Sequence, residues 1–562
     1  MKFLRLLLHL STTIQLGSTA PNKATRCSNS ASNRAYWCKY DIHTDYYTVV
    51  PDTGVTREYW WVLEDGIISP DGVPRYTQTI NGSYPGPTLF ADWGDNVIVH
   101  VTNKLTQSNN GTSVHFHGIR QNYTNPNDGV PSLTQCPVAP GDTITYKWRA
   151  TQYGTTWYHS HFGLQAWEGL AGGIIINGPA SSNYDEDKGV IFLSDWTHPT
   201  PDSLFDYSET VGPPVVNNSL INGTNVWSED GSTTNQVGSH FTTKFKSGTS
   251  YRLRVINGAI DTHFKFTIDN HVMTVISSDL VPIKPYTADY IDIGIGQRYD
   301  VIVTANQSHV ARNFWMRAIP QTECASEPYP NNIRGIVYYG NSPSTPTTTN
   351  FSIPDNGLCG DETDNLSPIV EKEVSAHPMW SKTQDVSVIT VGNLFKWAVN
   401  NVSMLVNWKD PSLMQVYKGD SNWSTTAGVI ELDEANDWAY ILIESTLPVA
   451  HPMHLHGHDF FVLAQGTGVY NASDIGSLSN PPRRDTALLQ SGGYLLLAFQ
   501  TDNPGAWLMH CHIGWHTSEG LAIQFIERYS EINATITDYK SMKATCDNWD
   551  AWQTFPDIDS GI

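Results

Sequence analysis

Paired histidines are the residues of this sequence best suited to metal chemistry. The 562 residues include 20 histidines, and a random order would give roughly one His-X-His pair by chance. On a β-strand, residues i and i+2 share a face and lie about 6–7 Å apart, so one pair can present two imidazoles to one site. The chain has such pairs at His115/His117, His159/His161, His454/His456, His456/His458 and His510/His512.

The pairs lie in two copies of a longer pattern. The run TSVHFHGI at 112–119 matches HPMHLHGH at 451–458, and WYHSHFGLQAWEGL at 157–170 matches LMHCHIGWHTSEGL at 508–521. Such a repeat predicts that the first and last thirds of the chain are copies of one domain. Eight imidazoles are too many for one ion, and imidazole suits copper, whereas structural zinc sites favour cysteine. The repeat therefore predicts a cluster of three copper ions at the interface between the two copies.

The cysteine between the last two histidines is expected to serve a different metal. Neighbouring residues on a strand face opposite sides, so the sulfur of Cys511 points away from the side chains of His510 and His512. Together with His451 and His516 it forms a set of two imidazoles and one thiolate. That set is typical of a blue-copper electron-transfer site.

Two further observations refine this mononuclear site. Leu521 stands where a methionine usually supplies a weak axial ligand, and an alkyl side chain cannot bind a metal. In the first copy, the positions that match His451, Cys511 and His516 are occupied by poor copper ligands, namely Thr112, Ser160 and Gln165. The mononuclear site is therefore predicted in the last copy only.

The elements that must position these residues are β-strands. Short runs of Val, Ile, Thr and Tyr alternate with polar residues and end at Gly, Pro, Asn or Asp, as at 96–101 and 251–256. Such runs are typical of β-sandwiches or barrels. The segment 340–350 is rich in Pro, Ser and Thr and is predicted to be a linker or long loop. We predict three similar β-sandwiches, with paired histidines in the outer two only.

Charge and the first residues exclude several classes of protein. The formal net charge is −22, and such an acidic surface repels nucleic acid and anionic membranes. Residues 1–20 combine Lys2 and Arg5, a short apolar run and small residues before Ala20, which predicts a secretory signal peptide. The run is too short to span a bilayer. With many Asn-X-Ser/Thr sequons, the chain is expected to be a secreted glycoprotein.

The number of cysteines fits an oxidising compartment. The chain has seven cysteines, and six of them can pair in such a compartment. We expect Cys511 to be the one left without a disulfide partner.

At this point the motifs HFHG, HSH, HPMHLHGH and HCHIGWHTSEGL resemble the four copper signatures of the multicopper oxidases. The likeness to the ascomycete laccases covers nearly the whole chain after the signal peptide. It implies an all-β chain of three consecutive cupredoxin-like Greek-key β-sandwich domains, at 21–178, 179–350 and 351–562. The last domain would end in a C-terminal tail, 559–562, that plugs the solvent channel near the cluster.

The resemblance also implies four copper ions, one of type 1, one of type 2 and two of type 3. Carried over by position, the type 1 ligands are His451, Cys511 and His516, with Leu521 as the axial non-ligand. The type 2 ligands are His115 and His454. The type 3 ligands are His117, His159 and His512 for one ion, and His161, His456 and His510 for the other. The resemblance assigns no metal to His458.

The resemblance gives three disulfides, Cys27–Cys38, Cys136–Cys546 and Cys324–Cys359. It assigns proton delivery at the cluster to Asp128, for which an ordinary turn residue before Gly129 is the alternative.

The resemblance also places the substrate pocket beside Trp515 and His516. Asn217 stands where many relatives have a carboxylate that accepts the phenolic proton. An amide is not a base, so another carboxylate or water would take that role.

The activity implied is that of a secreted, monomeric laccase without nucleic-acid or membrane partners. Phenolic small molecules would give single electrons at His516, and Cys511 would pass them to a cluster that reduces O2 to water. A dedicated phenol-coupling oxidase of pigment or secondary-metabolite synthesis, a metal-ion oxidase and a copper-storage protein are the alternatives.

Overall fold

The structure is a computed structural model that describes residues 27–107, 110–353, 359–553 and 558–560. The predicted signal peptide, 1–20, and the last two residues of the predicted tail plug, 561–562, lie outside these ranges. No helix in the described part of the chain is long and apolar enough to cross a membrane.

Strands with alternating burial make up the first third of the chain. In the run NVIVHVTNK, the valines at 97, 99 and 101 are buried while the residues between them are more exposed, which is the two-residue period of a half-buried strand. The strands are β1 (Tyr36–Trp37), β2 (Tyr40–Asp41), β3 (Thr56–Ile68), β4 (Arg75–Ile80), β5 (Gly86–Asp92), β6 (Asn96–Lys104), β7 (His115–His117), β8 (Thr143–Arg149), β9 (Gly154–His159) and β10 (Ala171–Asn177).

The middle third has the same texture without paired histidines. Its strands are β11 (Glu186–Trp196), β12 (Asn218–Ile221), β13 (Val226–Trp227), β14 (Val237–Gly238), β15 (Phe241–Lys244), β16 (Ser250–Asn257), β17 (Phe264–Ile268), β18 (Met273–Ser278), β19 (Val281–Ala288), β20 (Ile291–Ile293), β21 (Arg298–Thr304), β22 (Asn313–Pro320) and β23 (Arg334–Tyr338). The segment 340–350 that follows contains no helix or strand, as predicted for a linker.

The last third completes the strand set. Its strands are β24 (Trp380–Val391), β25 (Leu394–Val399), β26 (Leu405–Asn407), β27 (Val429–Leu432), β28 (Trp438–Ser445), β29 (His451–Leu455), β30 (Phe460–Thr467), β31 (Arg483–Arg484), β32 (Thr486–Leu489), β33 (Gly493–Gln500), β34 (Gly505–Cys511), β35 (Ala522–Glu527) and β36 (Ile558–Ser560). The α-helices are α1 (Gln165–Glu168), α2 (Pro201–Thr210), α3 (Ser412–Tyr417), α4 (Gly514–Ser518), α5 (Tyr529–Thr535) and α6 (Tyr539–Trp552).

The sheets repeat one hydrogen-bonding pattern three times. One sheet of each repeat runs β5-β10-β9-β7, β15-β23-β22-β17-β20 or β27-β35-β34-β29-β32. In each, the first pair is parallel and the later pairs are antiparallel.

The other sheet of each repeat runs β4-β3-β6-β8, β12-β11-β16-β21-β18-β19 or β25-β24-β28-β33-β30-β31. Each has one parallel pair among antiparallel ones. A parallel pair of strands needs a long crossover connection. The same combination of one parallel pair with antiparallel pairs in each repeat therefore shows that the three repeats share one topology. The prediction of three similar β-sandwiches is confirmed.

The cores and covalent links tie the sandwiches together. One continuous apolar cluster runs through the middle and last sandwiches, and the first has a core of its own. The structure contains the disulfides Cys27–Cys38, Cys136–Cys546 and Cys324–Cys359, while Cys511 is free and buried. The second disulfide joins the first sandwich to α6. The backbone of β36 pairs with β26 in the last third.

The repeat extends to the mononuclear positions. In the first sandwich, the hydroxyls of Thr112 and Ser160 both donate to Gln165 Oε1 at 2.8 Å. Gln165 Nε2 donates to the carbonyl of Gly111 at 2.8 Å. All three counterpart side chains are buried. Hydrogen bonds therefore occupy the place that corresponds to the metal position of the last sandwich.

We expect Gln165→Leu to destabilise the first sandwich. The change removes the acceptor of the Thr112 and Ser160 hydroxyl protons and the side-chain donor to the buried carbonyl of Gly111, which lowers the free energy of unfolding by about 2 kcal/mol or more. Chemical denaturation of the metal-free protein measures this loss, with the exposed Gln107→Leu as the matched control. Equal stability of the two variants would contradict the hydrogen-bonded triad.

Candidate metal centre

Strand pairing brings the histidine pairs of the outer sandwiches together. In the first sandwich, β7 pairs with β9 so that His115 lies opposite His159. In the last sandwich, β29 pairs with β34 so that His454 lies opposite His510. Directly after β34, the N–H of His512 donates to the carbonyl of Pro452 at 2.7 Å.

Eight imidazoles meet at the interface of these sandwiches. Their ring nitrogens form three groups in which one nitrogen from each histidine lies within 4.8 Å of the others. The groups are His115/His117/His454, His117/His159/His512 and His161/His456/His510. The last two are the triplets that the sequence resemblance assigns to the type 3 ions, and His115 and His454 share the first. All eight side chains are buried.

The state of these rings fits transition-metal ions. Burial and mutual repulsion hold the pKa of several rings well below the ordinary value for histidine, and burial lowers the pKa of His510 to about 4. These rings are therefore neutral and have lone pairs to offer. Several buried nitrogens have no hydrogen-bond partner among the residues that the structure describes, including Nε2 of His115, His159 and His454. Unpartnered buried nitrogens are costly, and metal ions would satisfy them.

Backbone carbonyls fix the orientation of the cluster rings. The Nδ1 atoms of His115 and His454 lie 2.7 Å from the carbonyls of Asp128 and Asp485. The Nδ1 atom of His510 lies 2.8 Å from the carbonyl of Cys511. A hydrogen bond at Nδ1 sets the tautomer and leaves Nε2 as the metal-binding atom.

Two buried carboxyl groups adjoin the cluster. Asp128 Oδ2 lies 2.9 Å from His456 Nδ1, so the predicted proton-delivery residue contacts a cluster ring directly. Asp485 Oδ1 lies 3.2 Å from His117 Nε2, and its other oxygen accepts from Arg298 at 2.5 Å. Burial raises the pKa of the Asp485 carboxyl to about 6 although Arg298 opposes the rise. No motif pointed to Asp485, because it lies between β31 and β32 rather than on a histidine-bearing strand.

The mononuclear site lies on the other face of β34. Cys511 Sγ is 3.6 Å from Nδ1 of both His451 and His516, and the two Nδ1 atoms are 3.2 Å apart. Burial raises the pKa of the Cys511 thiol, so the thiolate needs a bound cation to form there. Leu521 is buried beside the cysteine and accepts a hydrogen bond from its N–H at 3.1 Å.

His458 stands apart from both sites. Its Nδ1 lies 3.1 Å from the carbonyl of His456, and its Nε2 lies 3.0 Å from Glu527. Burial alone would lower the pKa of His458, but the Glu527 carboxylate raises it above the ordinary value. The ring therefore has an ion-pair role in the last sandwich.

The two predicted pocket residues have different surroundings. Trp515 is only 1% exposed, and its indole nitrogen has no hydrogen-bond partner within the described part of the chain. Asn217 is half-buried, and its Oδ1 accepts from the N–H of His198 at 2.8 Å. A tryptophan that sequence reasoning missed, Trp397, packs on both imidazoles of the mononuclear site.

A loop of the middle sandwich, residues 258–263, covers the mononuclear site. The Asp195 carboxylate accepts from the N–H groups of residues 260, 261 and 262 at 2.7–3.0 Å. The carbonyl of Ile260 accepts from the N–H of Gly514 at 2.9 Å, where α4 begins. The loop therefore holds the helix that carries His516. It also buries Asp261, whose pKa is raised to about 8 by burial and by the neighbouring carboxyls of Asp195 and Glu519.

We expect Asp261 to make stability fall as the pH rises. Its pKa is higher in the folded chain than in the unfolded chain, so folding binds a proton between about pH 4 and pH 8. Between about pH 5 and pH 8.5 the metal-free protein should lose about 1 kcal/mol or more relative to Asp261→Asn, which has no carboxyl to ionise. Denaturation at both pH values measures the difference, and the exposed Asp433→Asn serves as control. Parallel pH curves for wild type and Asp261→Asn would refute the expectation.

Comparison with known proteins gives consistent matches. Family models described as multicopper oxidase match residues 63–181, 187–342 and 394–531. The chain is 47% identical to Laccase-2 of Botryotinia fuckeliana over 560 residues, covering 97% of this chain and 95% of that protein. It is 40% identical to a laccase of Neurospora crassa over 562 residues, covering 95% of this chain and 89% of that protein.

Solved structures give the same picture. The crystal structure of the laccase from Botrytis aclada is 47% identical, with a TM-score of 0.90, and covers 95% of this chain and 100% of that chain. A multicopper oxidase that functions in iron import is 27% identical, with a TM-score of 0.80, and covers 88% and 95% of the two chains.

Proposed function

The chain belongs to the multicopper oxidase family and is a copper-dependent, laccase-like oxidoreductase. We propose that it is a secreted laccase that oxidises phenolic small molecules. It takes electrons singly from the phenol and passes four to O2, which becomes water. The observation that carries the proposal is the backbone shared by both sites. Cys511 of the mononuclear set stands directly between His510 and His512 of the cluster.

The proposed ligand sets follow the donor groups of the structure. His451, Cys511 and His516 would hold the type 1 copper, with Leu521 as a non-binding axial neighbour. His115 and His454 would hold the type 2 copper. The type 3 pair would be held by His117, His159, His512, His161, His456 and His510. When bound, the copper ions supply the one-electron steps between donor and O2.

The protein's own part in the cluster is to fix the rings and to hold protons. Asp128 Oδ2 accepts from His456 Nδ1, and Asp128 Oδ1 is buried 3.3 Å from His115 Nδ1. A buried carboxyl group that contacts two rings of the cluster is a suitable place for proton transfer. We therefore assign proton delivery to Asp128, and the Asp485 carboxyl is a second such place because its pKa is raised to about 6 by burial.

At the electron-entry site, the protein positions the His516 ring and leaves the phenolic proton to another acceptor. The only hydrogen bond that the described residues give to the Asn217 side chain comes from a backbone N–H, and an amide is not a base.

The domains that carry these sites would span 21–178, 179–350 and 351–562, after a signal peptide at 1–20. The protein would act as a monomer.

We expect Cys511→Ser to abolish the intense thiolate–copper absorption of a blue site. The hydroxyl of serine does not supply the sulfur donor that this absorption requires. The visible spectrum and the copper content of the purified variant measure the effect. The cluster ligands are untouched, so about three of four copper ions should remain. Persistence of the blue colour would contradict the ligand assignment.

We expect purified, copper-loaded protein to consume O2 faster with syringyl phenols than with Fe(II). The metal-ion oxidase alternative rests on the structural similarity to the oxidase that functions in iron import. An oxygen electrode with both donors at equal concentration separates the two. Faster turnover of Fe(II) would favour the metal-ion oxidase, and no uptake with either donor would favour copper storage.

A further inference from the structure

Asp485 contacts one cluster ring from each of the outer sandwiches. Its Oδ1 atom lies 3.2 Å from Nε2 of His117, and its backbone carbonyl lies 2.7 Å from Nδ1 of His454. His117 Nδ1 in turn lies 3.2 Å from Nε2 of His512. A proton that His117 Nε2 donates to Asp485 leaves Nδ1 as the metal-binding atom. The placement of this carboxylate therefore sets which nitrogen His117 presents to the cluster.

Arg298 of the middle sandwich holds the Asp485 carboxylate at both of its oxygens. Nη1 donates to Oδ1 at 2.6 Å, and Nη2 donates to Oδ2 at 2.5 Å. Both side chains are almost fully buried, at 1% and 2% exposure. Two parallel hydrogen bonds fix the plane of a carboxylate as well as its distance. The pair therefore keeps Oδ1 of Asp485 directed at His117.

The guanidinium of Arg298 is itself held in place by a buried network. Nη1 also donates to the carbonyl of Gly296 at 3.1 Å, and the backbone N–H of Arg298 donates to Asp279 Oδ1 at 2.7 Å. The other oxygen of Asp279 accepts from Nε of Arg484 at 2.8 Å, and Arg484 directly precedes Asp485. The network thus joins the middle and last sandwiches at the residue that contacts the cluster.

The first sandwich leaves room for this pair at Gly118, the glycine of the motif HFHG. A Cβ atom at this position would overlap Asp485 Oδ2 and Arg298 Nη2. The φ angle of Gly118 is +72°, in the region that favours glycine. The Arg298–Asp485 pair therefore packs directly against the backbone of the residue that follows His117.

We propose that Arg298 is a positioning residue of the cluster, which acts by holding the Asp485 carboxylate on Nε2 of His117. The inference rests on the proposed function, in which His117 binds one of the type 3 copper ions. The effect of Arg298 on the cluster passes through Asp485. Its charge and its two-point geometry can therefore be separated by substitution without changing any proposed ligand.

The test compares Arg298→Lys with Arg254→Lys in the copper-loaded protein. Lysine keeps the positive charge but replaces the planar fork by a single donor atom on a flexible stem, so the two-point contact with Asp485 is lost. Arg254 is a matched control on the adjacent strand β16. It is equally buried, and its Nε and Nη2 make a two-point contact with Asp187 rather than with a carboxylate at the cluster.

Arg298→Lys should weaken the binding of cluster copper about 10- to 100-fold, the usual loss when a group that orients a metal-binding histidine is removed. Titration with a competing chelator measures this affinity. The near-ultraviolet absorption of the type 3 pair and the type 2 EPR spectrum should also change. The blue type 1 absorption should stay as in the wild type, because its ligands are untouched. Arg254→Lys should leave all copper signals and the copper affinity unchanged.

The route through Asp485 has a test of its own. In an Asp485→Asn background, Arg298→Lys should cause no further loss of copper affinity, because the first change already breaks the two-point contact. Should Arg298→Lys not fold, Gly118→Ala decides the question by the same readouts. Its methyl group displaces the pair while both charged residues remain, so it should weaken the same copper signals.

Wild-type copper affinity and spectra in Arg298→Lys, or in Gly118→Ala where that variant is used, would overturn the positioning role. An equal loss in Arg254→Lys would overturn it too, since it would show that any buried arginine of this sheet has the same effect. Additive losses in the double variant would refute the route through Asp485. Failure of the proposed function looks different, because the copper-loaded wild type would then lack the type 3 absorption and consume no O2 with phenols, whatever the Arg298 variants do.

Discussion

The structure depends on one property of a β-strand, which is that adjacent side chains leave it on opposite faces. At the end of β34, His510 and His512 turn towards the eight-histidine cluster, and Cys511 turns towards His451 and His516. The two sites are therefore joined by covalent backbone as well as by packing. The carbonyl of Cys511 adds a second link, because it accepts from the His510 ring at 2.8 Å. The rest of the fold has to bring further ligands to each face of this strand.

This arrangement leaves a set of buried imidazoles, several of whose nitrogens have no hydrogen-bond partner among the described residues. Unsatisfied buried groups destabilise a fold, so the sandwiches on either side must hold the rings against relaxation. In the first sandwich, the same topology has no unsatisfied groups of this kind at the positions that match the mononuclear ligands. There Thr112, Ser160 and Gln165 satisfy one another by hydrogen bonds. One topology therefore holds either a set of metal ligands or a hydrogen-bonded triad, and the side chains at these positions determine which of the two forms.

Much of this was predictable from sequence, because histidine spacing and strand periodicity are local signals. The three sandwiches were predicted from such signals, whereas the family and the copper-dependent oxidase activity were predicted from the resemblance of the histidine motifs to a known family, and all are confirmed. The residues that sequence reasoning missed have another origin. Asp485 and Trp397 lie outside the strands that carry the paired histidines, and Glu519 contacts Ser208 across 311 positions of sequence. Contacts of this kind have no periodic signature. Burial likewise follows from packing, which is why the 1% exposure of Trp515 could not be foreseen.

The middle sandwich supplies none of the eight cluster histidines and none of the three residues of the mononuclear set, His451, Cys511 and His516, yet its contacts surround the electron-entry site. Its Asp195 holds the loop 258–263 by three backbone N–H groups, and that loop accepts from the first residue of α4. Its helix α2 reaches Glu519 and Lys396 on the other side. Because one continuous apolar core joins the middle and last sandwiches, these two contacts are anchored rigidly. The domain without ligands therefore shapes the surroundings of a metal site that it does not bind.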